Sequence, residues 1–406
     1  MGKIRTLFIT AAAVVCPLLA QSAGTAGELI RSTAAASVGV PISFGAAESA
    51  NTAVEPLSSE TEESPPAHLP AEVTQESDFT ESAAAATEEA YSAQPEETEQ
   101  TQPNSGQDNS PTESTATGRV ISRNILSFTE EEQTSEIRGG AIIREYYGKS
   151  DATDHITLSS GAQVRNMTSV DNAVLLAASQ QLPDIAPEIG SPDPQVLIVH
   201  THTTESYEPC TRDWYDASLS SRTRDSSRNM VAIGEALAQA LAAQGISVLH
   251  DGTIHDYPLY TGAYDRSEET IRAALEEYPS IKVVIDLHRD AIETADGSRI
   301  APTAQINGKS AAQFMIITGC DDGRFGNMPN YIENFKLACL IQNTAENMYS
   351  GLARPVLFDY RNYNQHISTG SLLIEVGGHA NSFEEAELTG QLLGELIAQA
   401  MCSICG

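Results

Sequence analysis

The chain has 406 residues, with 55 Asp and Glu against 23 Lys and Arg, a formal charge of -32 and a pI near 4.5. That length calls for two domains, or one domain and a long tail. That charge excludes a nucleic-acid partner, which needs a basic face to neutralise phosphate. The acidity is concentrated, since residues 46–118 hold no Lys or Arg and sixteen Asp or Glu, half of the net charge.

Lys3 and Arg5 precede Leu7 to Ala20, apolar apart from Thr10. This is the basic-then-apolar form of a secretory leader, and the run is short for a membrane span. Residues 1–27 are therefore expected to be a signal peptide or a membrane anchor, with the rest of the chain exported. Residues 28–118 read as an acidic disordered tether. From Ala46 to Gly118 the only aromatics are Phe79 and Tyr91, too little apolar surface to offset chain entropy, and like charges extend it. Residues 119–194 read as a small β-rich appendage and connector. Strand-like fragments lie at Ala141–Tyr147, Ile156–Leu158 and Val164–Met167, a helix over Val174–Leu182, and Pro183, Pro187, Pro192 and Pro194 follow. The six cysteines show no disulfide framework, and Cys402 and Cys405, a CxxC after a helix, read as incidental thiols or one local disulfide.

From Gln195 to the end, strands and helices alternate. That rhythm predicts an α/β domain over 195–406, an open mostly parallel sheet flanked by helices. Val196–Val199 is a buried strand. Met230, Ile233, Leu237 and Leu241 share one helical face, closed by Gly245. Strands follow at Ile246–Leu249, Ile281–Leu287, Phe314–Thr318, Val356–Phe358 and Leu372–Ile374. Helices cover Asp265–Tyr278, Asn330–Tyr349 and Phe383–Met401.

Three of these strands end in metal-ligand side chains. The first runs into His200, His202 and Glu205, the strand 281–287 into His288, and the strand 372–374 into Glu375. If the strands are parallel, all lie at one rim, where open α/β sheets place their sites. Imidazole and carboxylate are the ligand set of catalytic zinc, which leaves one position to water and needs a separate carboxylate as proton acceptor. His202, Glu205 and His288 form such a set, with Glu375 free to act as the base. Asp225 competes with Glu205 as the acidic ligand, and His200 competes with His202 or supports a ligand from behind. Arg289 and Asp290, next to His288, are expected to brace the site.

HTHTTESY, the stretch HDGTIHDYP from His250, VIDLHRDA from Val284 and LLIEVGGHANSFEEA from Leu372 occur in this order, and together resemble the stage II sporulation protein P family. The resemblance covers most of the chain from about Gln195. It implies a zinc-dependent N-acetylmuramoyl-L-alanine amidase that cuts the lactyl-peptide amide of peptidoglycan during sporulation engulfment. It further implies attachment to the membrane facing the cell wall, and work alongside a lytic transglycosylase and a membrane scaffold protein. The family's histidines fall on His200, His202 and His288 and its base on Glu375, while the acidic ligand stays open between Glu205 and Asp225. Arg289, Asn364, Gln365 and Asn381 are expected to bind substrate. His379 occupies a position the family does not reserve for histidine. A zinc carboxypeptidase or endopeptidase acting on stem peptides, and a non-catalytic wall-binding module, are the alternatives. An intact base opposite a metal set speaks against the module.

Overall fold

The computed structural model describes residues 117–128, 136–321 and 328–405. The leader and nearly all of the acidic tether therefore lie outside the described residues.

The fold is built around β5 (Val196–Val199), whose four side chains are fully buried and alternate between two cores. Val196 and Ile198 pack with Ile233 and Leu237 of α2 (Met230–Ala243) and Leu393 and Ile397 of α5 (Phe383–Cys402). Leu197 and Val199 face the other way, against Ile271 and Ala274 of α3 (Ala263–Glu277). A strand covered on both faces has no polar side to show, which is why VLIV reads as a continuous apolar run.

Nine strands form the main sheet. Their order is β1 (Val120–Arg123), β7 (Val248–Asp251), β5, β8 (Val283–Asp290), β13 (Ser371–Gly378), β11 (Phe314–Gly319), β12 (Val356–Asp359), β4 (Gln163–Asn166) and β3 (His155–Thr157). The first five strands run parallel, β11 is antiparallel to β13, and β3 is antiparallel to β4. The α/β class and the mostly parallel sheet expected from the sequence are both present. From β5 the chain passes through α2 to β7 on one side, then through α3 to β8 on the other. Order thus reverses between β5 and β8, and the loops beyond their carboxyl ends diverge into a crevice.

The stretch 119–194 does not stand apart as an appendage. Its strand β1 takes one edge of the main sheet and β4 and β3 the other. Strand β2 (Arg138–Glu145) joins β6 (Trp214–Asp216), β9 (Arg299–Ile306) and β10 (Lys309–Ala312) in a second sheet. Strands of three or four residues cannot hold a separate core, so they complete the edges of a larger one.

Helix α5 starts at a capping box, with Ser382 accepting from the Glu385 amide and Glu385 from the Ser382 amide. It lies tight on α2. A Cβ on Gly394 would fall 2.5 Å from Ala240 Cβ and 2.7 Å from the Leu237 carbonyl oxygen.

Candidate active site

The turn after β5 is buried throughout and tied to the neighbouring strand. The Thr201 amide and hydroxyl donate to the two carboxylate oxygens of Asp286 at 2.8 and 2.7 Å. His200 points inward, with Nδ1 3.1 Å from the Leu287 carbonyl oxygen and Nε2 3.0 Å from His250 Nε2. Both of its nitrogens are engaged within the protein, and burial and the neighbouring His250 push its pKa down to about 3. His200 therefore supports the rim from behind and is not a donor to it.

His202 turns the other way. Its ring stacks on Tyr260 at 4.5 Å, Nε2 lies 3.0 Å from the Tyr260 hydroxyl, and buried Nδ1 has no hydrogen-bond partner among the described residues. Burial and His288 lower its pKa to about 4, so it is a neutral imidazole with a lone pair to offer. The His288 ring meets it edge to face at 5.3 Å. His288 Nε2 sits 2.8 Å from Asp286 Oδ1, though poorly aligned for a hydrogen bond, and Nδ1 lies 3.7 Å from Glu205 Oε2. Burial opposes charge on His288, but Asp286, Glu205 and Glu375 outweigh it and raise its pKa to about 9. Glu205 is buried too, and Arg289, His288, His202 and Arg222 overcome that burial to lower its pKa. Its oxygens meet the Arg289 amide at 3.2 Å and Arg222 at 3.3 Å.

Strands β8 and β13 run parallel, with Glu375 in register with His288, so the third carboxylate does reach the same rim. Glu375 Oε2 is covered and has no hydrogen-bond partner among the described residues. Desolvation, Asp290 and Glu205 raise its pKa to about 8, against the pull of His288 and Arg354. A carboxyl poised near neutrality can both take and return a proton.

Two imidazoles and a carboxylate of zinc-ligand type thus lie side by side, facing a poised acid. Among the described residues no three His, Cys, Asp or Glu side chains are gathered closely enough to hold a metal ion as they stand. The donor chemistry fits zinc nonetheless. His202 keeps an orphaned Nδ1, and Asp286 takes one side of His288 while the other side faces Glu205, the usual carboxylate backing of a ligand imidazole.

The structure corrects several expectations. Asp225 makes a tight turn, accepting from the Ser227 amide and hydroxyl at 3.0 and 2.7 Å and from Ser127 at 3.4 Å, with no contact to His202 or His288 among the described residues. Of the two acidic candidates, only Glu205 is at the rim. The four residues expected to bind substrate are all buried in the framework. Arg289 donates to the carbonyls of Ser206 and Ser221, Asn364 to the Tyr264 carbonyl, Gln365 to the Ile317 carbonyl, and Asn381 to the Pro302 carbonyl. Their polar atoms are spent on backbone that side-chain chemistry alone does not reveal. Asp290 does not brace His288 but pairs with Arg354 at 3.0 Å, and the carboxylate beside the His288 ring is Asp286. Asp286 is two residues before His288 on one strand, hence on the same face, and that alternation was a usable signal. Tyr260 and Arg222 come from loops and gave none.

A family model described as stage II sporulation protein P matches residues 47–398. The chain belongs to the stage II sporulation protein P family. The stage II sporulation protein P of Bacillus subtilis (strain 168) is 30% identical over 215 residues, which is 50% of this chain and 50% of that protein. The chain therefore spans about half the length of the curated relative it matches. Among solved structures, the N-acetylmuramoyl-L-alanine amidase AmiC2 of Nostoc punctiforme is 14% identical, with 51% of this chain and 95% of that one covered at a TM-score of 0.29. The CwlD amidase from Clostridioides difficile, in complex with the GerS lipoprotein, is 14% identical over 51% of this chain and 94% of that one, at a TM-score of 0.31. In this member of the stage II sporulation protein P family, the motifs HTHTTE, LHRD and IEVGG are the ends of three adjacent strands, β5, β8 and β13.

Proposed function

We propose that this chain is a peptidoglycan hydrolase, a zinc-dependent N-acetylmuramoyl-L-alanine amidase that cleaves the lactyl-peptide amide during sporulation. The observation that carries the reading is the rim itself, where the His202 and His288 rings lie edge to face, Glu205 approaches His288, and Glu375 stands in register beside His288. Zinc held by these three side chains would supply Lewis-acid chemistry, polarising the amide carbonyl and lowering the pKa of water. The protein's own part is proton handling and aim. Glu375 accepts a proton from the attacking water at Oε2 and returns it to the leaving amine. Asp286 fixes the His288 ring so that Nδ1 faces Glu205, and Arg222 and Arg289 keep Glu205 ionised. Tyr260, lying on the His202 ring, screens that imidazole from solvent.

In this reading the exported domain works at the membrane facing the wall, held by its N-terminal segment, with a lytic transglycosylase and a membrane scaffold protein as partners. Digestion of purified sacculi by the full chain, with and without chelator, tests it by mass analysis of the fragments. Free stem peptides and bare glycan, lost on chelation, are expected. Cuts confined to the stem peptide would replace the amidase by an endopeptidase, and no chelator-sensitive product would sink both.

A further inference from the structure

Next to the rim is a cleft of about 220 Å³, between the segment following Glu205, the loop 218–223, Arg299 and His379. Its walls bear three guanidiniums, those of Arg222, Arg228 and Arg299. Among the lining residues the only carboxylate is Glu208, already bound by Arg212 at 2.7 and 3.1 Å. Arg228 is exposed, and Asp225, which it helps to hold ionised, does not line the cleft. Arg299 is held over the Tyr215 ring at 3.7 Å. It also pairs with Glu293 at 3.2 Å and reaches Glu208 at 3.7 Å.

His379 is the observation that makes this a site and not a basic patch. It is only 4% exposed, it lines the cleft, and neither ring nitrogen has a hydrogen-bond partner among the described residues. Glu293 Oε1 comes to 3.2 Å of Nε2, but poorly aligned for a hydrogen bond. A buried imidazole left so is costly unless something fills the space before it. A planar carboxylate suits these donors, taking an N–H from the imidazole and a two-pronged contact from a guanidinium. The cleft adjoins the rim directly. Arg222 lines it while lying 3.3 Å from Glu205 Oε1, and His379 follows β13, the strand that carries Glu375.

We propose that this cleft binds a carboxylate on the peptide arm of the substrate, so that the protein distinguishes an acidic stem peptide from an amidated one. The proposal rests on the peptidoglycan reading above, because that polymer presents a peptide with a free or amidated glutamyl α-carboxyl close to the amide being cut.

Calorimetric titration of the full chain with L-Ala-γ-D-Glu-L-Lys, and with the same tripeptide amidated at the glutamyl α-carboxyl, tests it without depending on cleavage. The acid is expected to bind about tenfold tighter or more. The preference should shrink in Arg228→Gln, an exposed position where folding is not at risk, and vanish in His379→Phe. Equal binding of the two peptides, no binding of either, or a preference untouched in Arg228→Gln overturns the proposal. Digestion of sacculi is scored separately. Chelator-sensitive release of stem peptides without any acid preference sinks the cleft alone, whereas acid preference without such release sinks the amidase and leaves the cleft standing.

Discussion

Glu375, half-buried, and Asp286, buried, are both carboxyls beside His288, yet they sit at opposite ends of the titration range. Asp286 is held at about 2, despite burial, by His288 and by the hydroxyl and amide of Thr201. For Glu375, desolvation and repulsion from Asp290 and Glu205 outweigh the pull of His288 and Arg354, and its pKa rises to about 8. In the proposed enzyme, such divergence separates a positioning residue, Asp286, from a proton carrier, Glu375. Glu375→Gln is expected to keep the metal, by elemental analysis, while sacculus digestion falls about 10³-fold. Loss of metal in that variant would make Glu375 a ligand. Asp286→Asn is expected to weaken metal affinity by about 10- to 100-fold, read by competition with a chelating dye. An unchanged affinity would leave Asp286 without its positioning role. Behind the rim, Glu235 is held at about 2, first by its hydrogen bond with His250, against partial burial, and further by Gln239. A carboxylate lowered on folding adds stability above its ordinary value of 4.5, and that stability is lost as pH falls through about 2. Glu235→Gln should therefore melt lower than the parent at pH 7, with the gap closing between those two values. Because the Glu235 side chain is 40% exposed, the gap should be small, about 1–3 °C by circular dichroism.

At the scale of elements, the contact between α2 and α5 sets two effects against each other. Replacing a helix-interior glycine by alanine ordinarily gains about 1 kcal/mol in propensity. At Gly394 the added methyl would meet the Leu237 carbonyl oxygen at 2.7 Å, and overpacking of that kind costs about 1–3 kcal/mol. Gly394→Ala is expected to lower the denaturation midpoint; a rise would show that the two helices separate easily. The same scale explains what the sequence disclosed. VLIV and IKVVIDL were legible because both faces of their strands are covered, and α2 because its apolar stripe repeats at helical spacing. The β9–β10 hairpin shows no clean alternation in the sequence, because Pro302 and a run of small residues interrupt it. Its turn is Asn307-Gly308, both at positive φ, and that pair is a strong local hairpin signal that was available to be read. The loops that bring Tyr260 and Arg222 to the rim carry no periodicity, so their placement is a product of tertiary packing alone.

For the molecule as a whole, the edge strands decide how much chain the domain needs. Strand β1 covers the outer side of β7, and Arg123 bonds Asp251 at 2.5 Å and Glu277 at 2.9 Å. A chain beginning at residue 136 should therefore melt lower than one beginning at residue 117. It should also aggregate with concentration in light scattering, because the row of amides and carbonyls along β7 is left open. Equal melting and equal solubility would make β1 dispensable.

The register of β8 with β13 has one more consequence. Glu375 reaches His288 only after β11 and α4 (Tyr331–Met348) have been made, more than eighty residues later in the chain. A chain leaving the ribosome completes its imidazoles well before Glu375. Until the central strands zip together, the pieces of the rim remain far apart along the thread. In the proposed role, an enzyme able to dissolve the wall around its own cell is thus inert while unfolded, and folding acts as its safety catch.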